Sequence, residues 1–165
     1  MNKQLRIAYC IPSLYYPSGM ERALTLKANY FAEHFGYDIH IILTDGKGKE
    51  PYYPLHPSIT LHQLSINSLL KRISGYSKKQ RLYKKRLNEC LCEIRPDITV
   101  SLLRREINFI CEMKDGSVKL GEIHFNKSNY RAFNDNRLPG LCQRWAVDAA
   151  TDPATAESTL FRRAE

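Results

Sequence analysis

Residues 6–22 read RIAYCIPSLYYPSGMER, and they connect a short apolar run to the start of a longer amphipathic one. Residues 5–11 are apolar apart from Arg6, which is typical of a strand buried on both faces. From Met20 to Phe35 the apolar residues have mostly helical spacing. Residues 38–44, DIHIILT, form a second apolar run. The sequence therefore predicts a strand, a loop, a helix and a second strand.

The loop between this strand and helix contains serine, tyrosine and glycine immediately before the helix begins. The first N–H groups of a helix have no partner within it, and they lie at the positive end of the helix dipole. This loop is therefore a candidate binding site for a diphosphate. The patterns GxGxxG and GxxxxGK[ST] are absent from the sequence, which argues against a dinucleotide oxidoreductase and a P-loop NTPase.

Apolar spacing also predicts the later elements of the chain. They are an edge strand at residues 59–64, a helix at 76–95, a strand at 98–103, a short helix at 106–113 and a strand at 119–124. The apolar face of the helix at 76–95 consists of Tyr76, Tyr83, Leu87, Cys90, Leu91 and Ile94. This alternation predicts an α/β fold: an open, mostly parallel Rossmann-like sheet with helices on both faces. If the strand order is 3-2-1-4-5, the loops after the first and fourth strands face each other.

The size and composition are those of one ordinary globular domain. The chain has 165 residues, of which 43% are hydrophobic and 25% charged. No apolar stretch approaches the roughly 18 residues of a membrane span, and the N-terminus lacks the features of a signal peptide. The cysteines have no zinc-type spacing and are expected to be reduced thiols: Cys10, Cys90, Cys92, Cys111 and Cys142. We expect a cytoplasmic protein.

The net charge of +8 is concentrated in residues 71–86, which include no acidic residue. The basic residues there are Lys71, Arg72, Lys78, Lys79, Arg81, Lys84, Lys85 and Arg86. A solvated helix face is the simplest interpretation, and an anionic partner is the alternative. The aromatic residues Tyr76 and Tyr83 occur in this stretch, but no RNA- or DNA-binding motif does, which argues against nucleic acid.

Candidate site residues follow the first, fourth and fifth predicted strands, at the edge where ligands bind in open α/β sheets. They are Ser13, Gly19, Glu21 and Arg22 after the first strand, Arg104 and Arg105 after the fourth, and His124, Asn126 and Arg131 at the fifth. Arginine suits bidentate binding of phosphate or carboxylate, and histidine serves as a base or as a hydrogen-bond donor.

Each of these candidates also has a structural interpretation. The alternatives are a plain turn for Gly19, a solvated first helical turn for Glu21 and Arg22, and surface ion pairs of Arg104 and Arg105 with Glu106 and Glu112. A lone histidine at the end of a strand is more often structural than catalytic.

Four motifs, in their order along the chain, resemble the N-terminal half of family 4 glycosyltransferases. They are residues 6–22, residues 37–44 (YDIHIILT), residues 95–102 (RPDITVSL) and residues 122–126 (EIHFN). In that family a first strand leads to a GG-x-E-R-like turn and a helix, and the fifth strand carries an active-site histidine. The resemblance covers about residues 5–145.

The resemblance implies a GT-B architecture, in which two Rossmann-like domains hold a nucleotide sugar between them. Residues 1–145 would form the N-terminal, acceptor-side domain, with Gly19 near the donor diphosphate and His124 near the reacting sugar. Ser18 stands where the family has a second glycine, so this contact is expected to be altered. The resemblance also implies no tightly held metal and no cofactor, because the nucleotide sugar is a substrate.

A glycan or lipid-linked acceptor in cell-envelope polysaccharide biosynthesis is a further implication of the resemblance. Such an acceptor would suit a peripheral contact of residues 71–86 with anionic lipid at the inner face of the membrane.

Residues 146–165 differ from the rest of the chain, since alanine becomes frequent and lysine is absent. Without apolar periodicity they are expected to be a weakly ordered tail, or a non-native continuation produced by a shifted reading frame. The family's C-terminal domain carries an E-x7-E element. Glu157 and Glu165 have its spacing but not its glycine-rich surroundings, and we treat the match as coincidence.

The sequence is therefore expected to be that of a truncated hexosyltransferase, inactive without a C-terminal donor domain or a partner chain. The alternative is a stand-alone Rossmann-like domain that binds an anion or a partner without catalysis.

Overall fold

The structure is a computed structural model that describes residues 4–45, 48–64, 66, 75–102, 106 and 109–122. Its elements, in chain order, are β1 (Arg6–Ile11), α1 (Gly19–Phe35), β2 (Asp38–Leu43), β3 (Thr60–Gln63), α2 (Tyr76–Ile94), β4 (Ile98–Ser101), a 3-10 helix (Ile110–Glu112) and β5 (Val118–Gly121).

The sheet has five strands in the order β3-β2-β1-β4-β5, and all neighbouring strands are parallel. In its register, Arg6 of β1 lies opposite Asp38 of β2, and Ile7 lies opposite Ile98 of β4. The chain passes from β1 to β2 and β3 on one side, and then returns to place β4 on the other side of β1. The predicted fold class is confirmed, and the strand order is the one on which the placing of the candidate site depends.

Alternate residues of β1 face the two helices. Ile7, Tyr9 and Ile11 belong to the core beneath α1, together with its Leu24 and Ala28. Ala8 and Cys10 belong to the second core, beneath α2, which buries Tyr83, Leu87, Leu91 and Ile94. Burial on both faces explains why β1 is an apolar run rather than an alternating one. Helices therefore cover both faces of the sheet, as predicted.

The connection from β4 to β5 contains a 3-10 helix, Ile110–Glu112, within the bounds of the short helix predicted at residues 106–113. The N–H of Phe109 donates to the carbonyl of Glu106 at 2.9 Å, and the N–H of Met113 donates to that of Ile110 at 3.2 Å. Bonds between residues three apart form a 3-10 helix. β5 also ends at Gly121 instead of residue 124, because its ladder partner Ser101 is the last residue of β4.

Tyr76 was predicted on the apolar face of α2, and this prediction is wrong. The side chain is 80% exposed, because Tyr76 is the first residue of the helix and the first buried residue of that face, Tyr83, lies two turns later. At its other end α2 stops at Ile94, where Arg95 adopts a left-handed conformation before Pro96. The helix therefore ends one residue before its predicted end at residue 95, and the proline cannot continue it.

A buried ion pair holds the beginning of β5. Lys119 Nζ lies 2.5 Å from Asp115 Oδ1, and the hydroxyl of Ser117 links Asp115 to Thr99 of β4. Burial alone would raise the pKa of Asp115, but the bonds from Lys119 and Ser117 outweigh it and lower that pKa. A paired and hydrogen-bonded carboxylate is tolerated at this depth, whereas either charge left alone would be strongly unfavourable.

Within the described ranges, no helix is long and apolar enough to span a bilayer. Cys10, Cys90, Cys92 and Cys111 are free thiols, as expected. Cys142 and the proposed tail at residues 146–165 lie outside the described residues.

Gly36 ends α1 in a left-handed conformation with φ 62°, and the next residue, Tyr37, donates its N–H to the carbonyl of Phe31. Replacing Gly36 by alanine is expected to lower the free energy of unfolding by roughly 1 kcal/mol, because a Cβ is unfavourable at positive φ. Urea unfolding measures this change. Gly19→Ala is the matched control, since Gly19 is a helical glycine without positive φ. Equal stability of Gly36→Ala and the unsubstituted protein would contradict the prediction.

Candidate functional site

The candidate site lies at the carboxyl edge of the sheet, the end at which Ile11, Ser101 and Gly121 finish their strands. The connection after β1 leads to α1 on one face of the sheet. The connection after β4 instead places Phe109 and Ile110 in the core on the face of α2. The two connections diverge from neighbouring strands, which creates the crevice in which open α/β sheets bind ligands.

The loop from β1 to α1 is organised by the carboxylate of Glu21. Glu21 is only 5% exposed; its Oε2 accepts the N–H of Tyr16 at 2.8 Å, and its Oε1 accepts the hydroxyl of Ser13 at 3.3 Å. Its own N–H donates to the side chain of Ser18, the N-cap of α1, at 3.3 Å. Burial raises the pKa of Glu21, and the bonds from Tyr16 and Ser13 oppose that rise.

Ser13 and Glu21 therefore bond to each other and shape the loop, and the alternative of a solvated first-turn Glu21 is wrong. This role was not predicted, although the sequence S-G-M-E at residues 18–21 has the spacing of a capping box. Here the Glu21 carboxylate accepts the N–H of Tyr16, two residues before the N-cap, so the bond spans the loop between β1 and α1. Ligand binding by Ser13 and Glu21 stays a prediction.

The start of α1 presents two N–H groups, those of Gly19 and Met20, that have no acceptor among the described residues. At Gly19, apart from the adjacent residues and the backbone of the helix itself, no heavy atom lies within 4 Å of the position that a Cβ would occupy. Gly19 has neither a positive φ nor a crowded Cβ position, so the alternative that it merely permits a turn is not supported. The N–H groups and the open side of the glycine can receive an anion at close range.

Arg22 is exposed in the first turn of α1, and its guanidinium makes no ion pair or side-chain hydrogen bond with any residue that the structure describes. A cation in the first turn is unfavourable to the helix dipole. An anion bound at the N–H groups of Gly19 and Met20 would relieve that effect.

Glu106 follows β4 and is completely buried, and neither carboxylate oxygen has a hydrogen-bond partner in the described part of the chain. Burial raises its pKa to about 8. The proposed surface pair with Arg104 or Arg105 is therefore wrong for Glu106, because the residue is not at the surface. Glu112 does form a surface pair, but its partner is Lys84 at 2.7 Å. A buried, protonated carboxyl group can donate a hydrogen bond or release a proton.

Glu122, directly after β5, forms an ion pair with Lys27 of α1. The ammonium of Lys27 also lies 5.6 Å from the centre of the Tyr9 ring in β1. Burial, and then the charge of Glu122, raise the pKa of Tyr9. This cluster connects the end of β5 to α1 and β1, and no pattern in the sequence predicted it.

Five of the predicted site residues lie outside the described residues: Arg104, Arg105, His124, Asn126 and Arg131. Their roles stay predictions. In the described part of the chain, no group of three or more histidine, cysteine, aspartate or glutamate residues could hold a metal ion.

A scan of the chain against protein-family models finds no match, and a search of curated proteins finds none either. The resemblance to family 4 glycosyltransferases therefore stays a prediction from four motifs.

Replacing Glu21 by alanine is expected to lower the free energy of unfolding by roughly 2–3 kcal/mol, because the N–H of Tyr16 and the hydroxyl of Ser13 lose their acceptor in a buried setting. Glu33→Ala is the control, since Glu33 is exposed on the same helix. Urea unfolding of the two variants measures the difference. Equal losses would show that Glu21 contributes no more than a surface residue.

Replacing Glu106 by glutamine tests the cost of its buried charge. A pKa raised from 4.5 to about 8 means that the folded protein holds a proton which the unfolded chain releases, so stability falls as pH rises through that window. Glu106→Gln is expected to leave stability nearly unchanged at pH 4 and to raise it at pH 8 by on the order of 4 kcal/mol. Urea unfolding between pH 4 and 8 measures this, and a pH-independent difference would refute it.

Proposed function

We propose that this chain is the N-terminal, acceptor-side domain of a glycosyltransferase that uses a nucleotide-activated sugar. The observation that carries the proposal is the start of α1 at the carboxyl edge of a Rossmann-like sheet. There, the N–H groups of Gly19 and Met20 find no acceptor in the described part of the chain, and Gly19 has open space on its side-chain side. The order of the four family-like motifs along the chain supports it. The acceptor would be a glycan or a lipid-linked saccharide of the cell envelope.

In the proposed complex the diphosphate of the donor lies against the N–H groups of Gly19 and Met20. Gly19 matters because its missing side chain leaves room for a phosphate oxygen to approach the backbone, and helix N-termini favour negative charge. The exposed guanidinium of Arg22 supplies a positive charge one turn along. Glu21 contributes indirectly, because its bonds to Tyr16 and Ser13 hold the loop in this conformation.

In the reaction, the acceptor hydroxyl forms a bond to the anomeric carbon, the bond from that carbon to the diphosphate breaks, and the hydroxyl proton is released. The family resemblance implies that His124 lies near the reacting sugar and that the transfer retains the configuration at the anomeric carbon. It also assigns most contacts with nucleotide and sugar to a second domain. Half of the cleft neither excludes water nor holds the diphosphate from both sides, so this chain alone is expected to bind donors weakly.

Amide chemical-shift titrations with UDP-, GDP- and ADP-sugars test the site. We expect millimolar affinity, with the largest shifts at Gly19 and Met20. Gly19→Ala and Arg22→Ala should each weaken binding about fivefold, the equivalent of one helix-terminus or charge contact. Gly19→Ala is informative because the added methyl group fits the free protein and can obstruct only a ligand. Lys114→Ala, an exposed cation in the connection leading to β5, is the control.

Unchanged affinity in both Gly19→Ala and Arg22→Ala would exclude this site. A transfer assay with the same donors separates the remaining interpretations. Turnover at a rate typical of complete enzymes would contradict the need for a second domain. Anion binding without preference for nucleotide sugars over inorganic pyrophosphate would favour the stand-alone binding domain.

A further inference from the structure

Two histidines on neighbouring strands, His40 of β2 and His62 of β3, form a side-chain hydrogen bond, and we call them the histidine pair. His40 Nδ1 lies 2.9 Å from His62 Nε2, and the two ring centres are 5.1 Å apart. In the ladder, Thr60 lies opposite His40 and Ile42 lies opposite His62, so the bond runs diagonally between the strands. The proposed function does not involve this pair.

A row of charged groups holds His40 from its other side. His40 Nε2 lies 3.1 Å from Asp38 Oδ1, which brings the ring close to the carboxylate without a well-aligned hydrogen bond. Asp38 Oδ2 accepts a bond from Nε of Arg6 at 2.5 Å, and the same guanidinium donates to the carbonyl of Ile94 at the end of α2. Burial raises the pKa of Asp38, but the bonds and charges of Arg6 and His40 outweigh it and lower that pKa. Asp38 therefore remains a carboxylate while histidine titrates.

This carboxylate decides where the protons of the pair lie. Because Asp38 faces His40 Nε2, a proton on that nitrogen is favoured, and Nδ1 of His40 then accepts a bond from Nε2–H of His62. One added proton, on Nδ1 of His62, keeps this bond and gives it a charged donor. A second added proton occupies His40 Nδ1, so two N–H groups of two charged rings oppose each other at 2.9 Å. The doubly protonated pair therefore loses its hydrogen bond.

The surroundings of the pair oppose the second proton. His40 is mostly buried, with 14% of its side chain exposed. Burial, and then the charge of His40, lower the pKa of His62, and the charge of Glu93 on α2 opposes that shift. The described charged groups that face the pair are thus Arg6, Asp38 and Glu93. Since the unfolded chain takes up this proton more readily, the stabilisation is complete above the ordinary histidine pKa of 6.5 and is lost as the pH falls below it.

Strand β3 depends on the pair because it is a short edge strand. It has four residues and pairs with β2 alone. Its Leu61 packs against the core beneath α1, so Thr60 and His62 lie on the opposite face of the sheet, where Thr60 is exposed. Within the part of the chain that the structure describes, the histidine pair is the side-chain bond that attaches β3 to β2 on that face.

We propose that the histidine pair is a pH-sensitive attachment of the edge strand, which keeps β3 on β2 while one ring is neutral and releases it when both rings are charged. The release is local, because β1 and β4 are each paired on both sides. Release of β3 uncovers the backbone N–H and C=O groups of β2, which become a new sheet edge. Acid thus changes the surface of the domain at this edge, whether or not the proposed function is correct.

Hydrogen exchange of the whole chain, followed by NMR from about pH 7.5 to about pH 4.5, tests the proposal. Protection factors correct for the intrinsic pH dependence of exchange. They are expected to fall about tenfold in β3 and at Leu64, whose N–H donates to the carbonyl of Leu43, because one hydrogen bond is lost. Those of β1 and β4 should change less than about threefold.

Variants of His62 separate the pair from other effects of acid. His62→Gln keeps an N–H donor near the position of Nε2 but does not titrate, so β3 should remain protected throughout the pH range. His62→Ala removes the bond at every pH, so protection of β3 should be low at about pH 7.5 and fall no further. His34→Gln replaces an exposed histidine of α1 and is the matched control, which should respond to acid like the unsubstituted protein.

Three results would overturn the proposal. They are a fall in β3 protection that persists in His62→Gln, an equal fall in β1 and β4, and constant protection of β3 in the unsubstituted protein. The first would assign the acid response to another group, and the second would show that the whole sheet opens at once. The third would show that β3 stays attached when the pair is charged.

Discussion

Strand β1 has to bury both of its faces, because it lies between β2 and β4 in the centre of the sheet. Large side chains such as Tyr9 and Ile11 fill the core beneath α1, whereas the small Ala8 and Cys10 allow α2 to pack against the other face. The same position makes β1 the strand at which the connections diverge. Burial of both faces of β1 places this strand at the centre of the sheet. The same central position creates the crevice at the carboxyl edge.

The buried carboxylate of Glu21 fixes the conformation of the loop that lines one side of that crevice. Because Glu21 satisfies the N–H of Tyr16 and the hydroxyl of Ser13, the chain turns tightly between β1 and α1. The capping bond from Glu21 to Ser18 uses one N–H at the start of the helix, and those of Gly19 and Met20 have no acceptor among the residues that the structure describes. The bonds of Glu21 that stabilise the loop therefore also hold the helix start in a conformation that can bind an anion. On the proposed function, Glu21 is a positioning residue, and Gly19 is the residue whose backbone the donor diphosphate approaches.

Parts of the site could be predicted from local patterns, and parts could not. Gly19 and Arg22 at a helix start are visible in the sequence, and the capping-box spacing of Ser18 and Glu21 was available there too. The burial of Glu106 had no such signal, since its basic neighbours Arg104 and Arg105 suggested the surface. The pairing of Lys27 with Glu122 joins residues 95 positions apart, a separation at which no local pattern reports contact.

The order of the elements and the two buried helix faces follow from the sequence, because apolar spacing is local and helical crossovers favour parallel strands. Which polar groups are buried, and what they contact, depends on the packed fold. Tyr76 has the right spacing for the apolar face of α2 but is exposed because the helix starts before its contact with the core. Glu106 is charged in the unfolded chain at neutral pH and loses water only when the connection after β4 packs over the sheet. The spacing of apolar residues can be read directly along the sequence. The loss of water around a polar side chain depends on which residues pack against it in the folded protein.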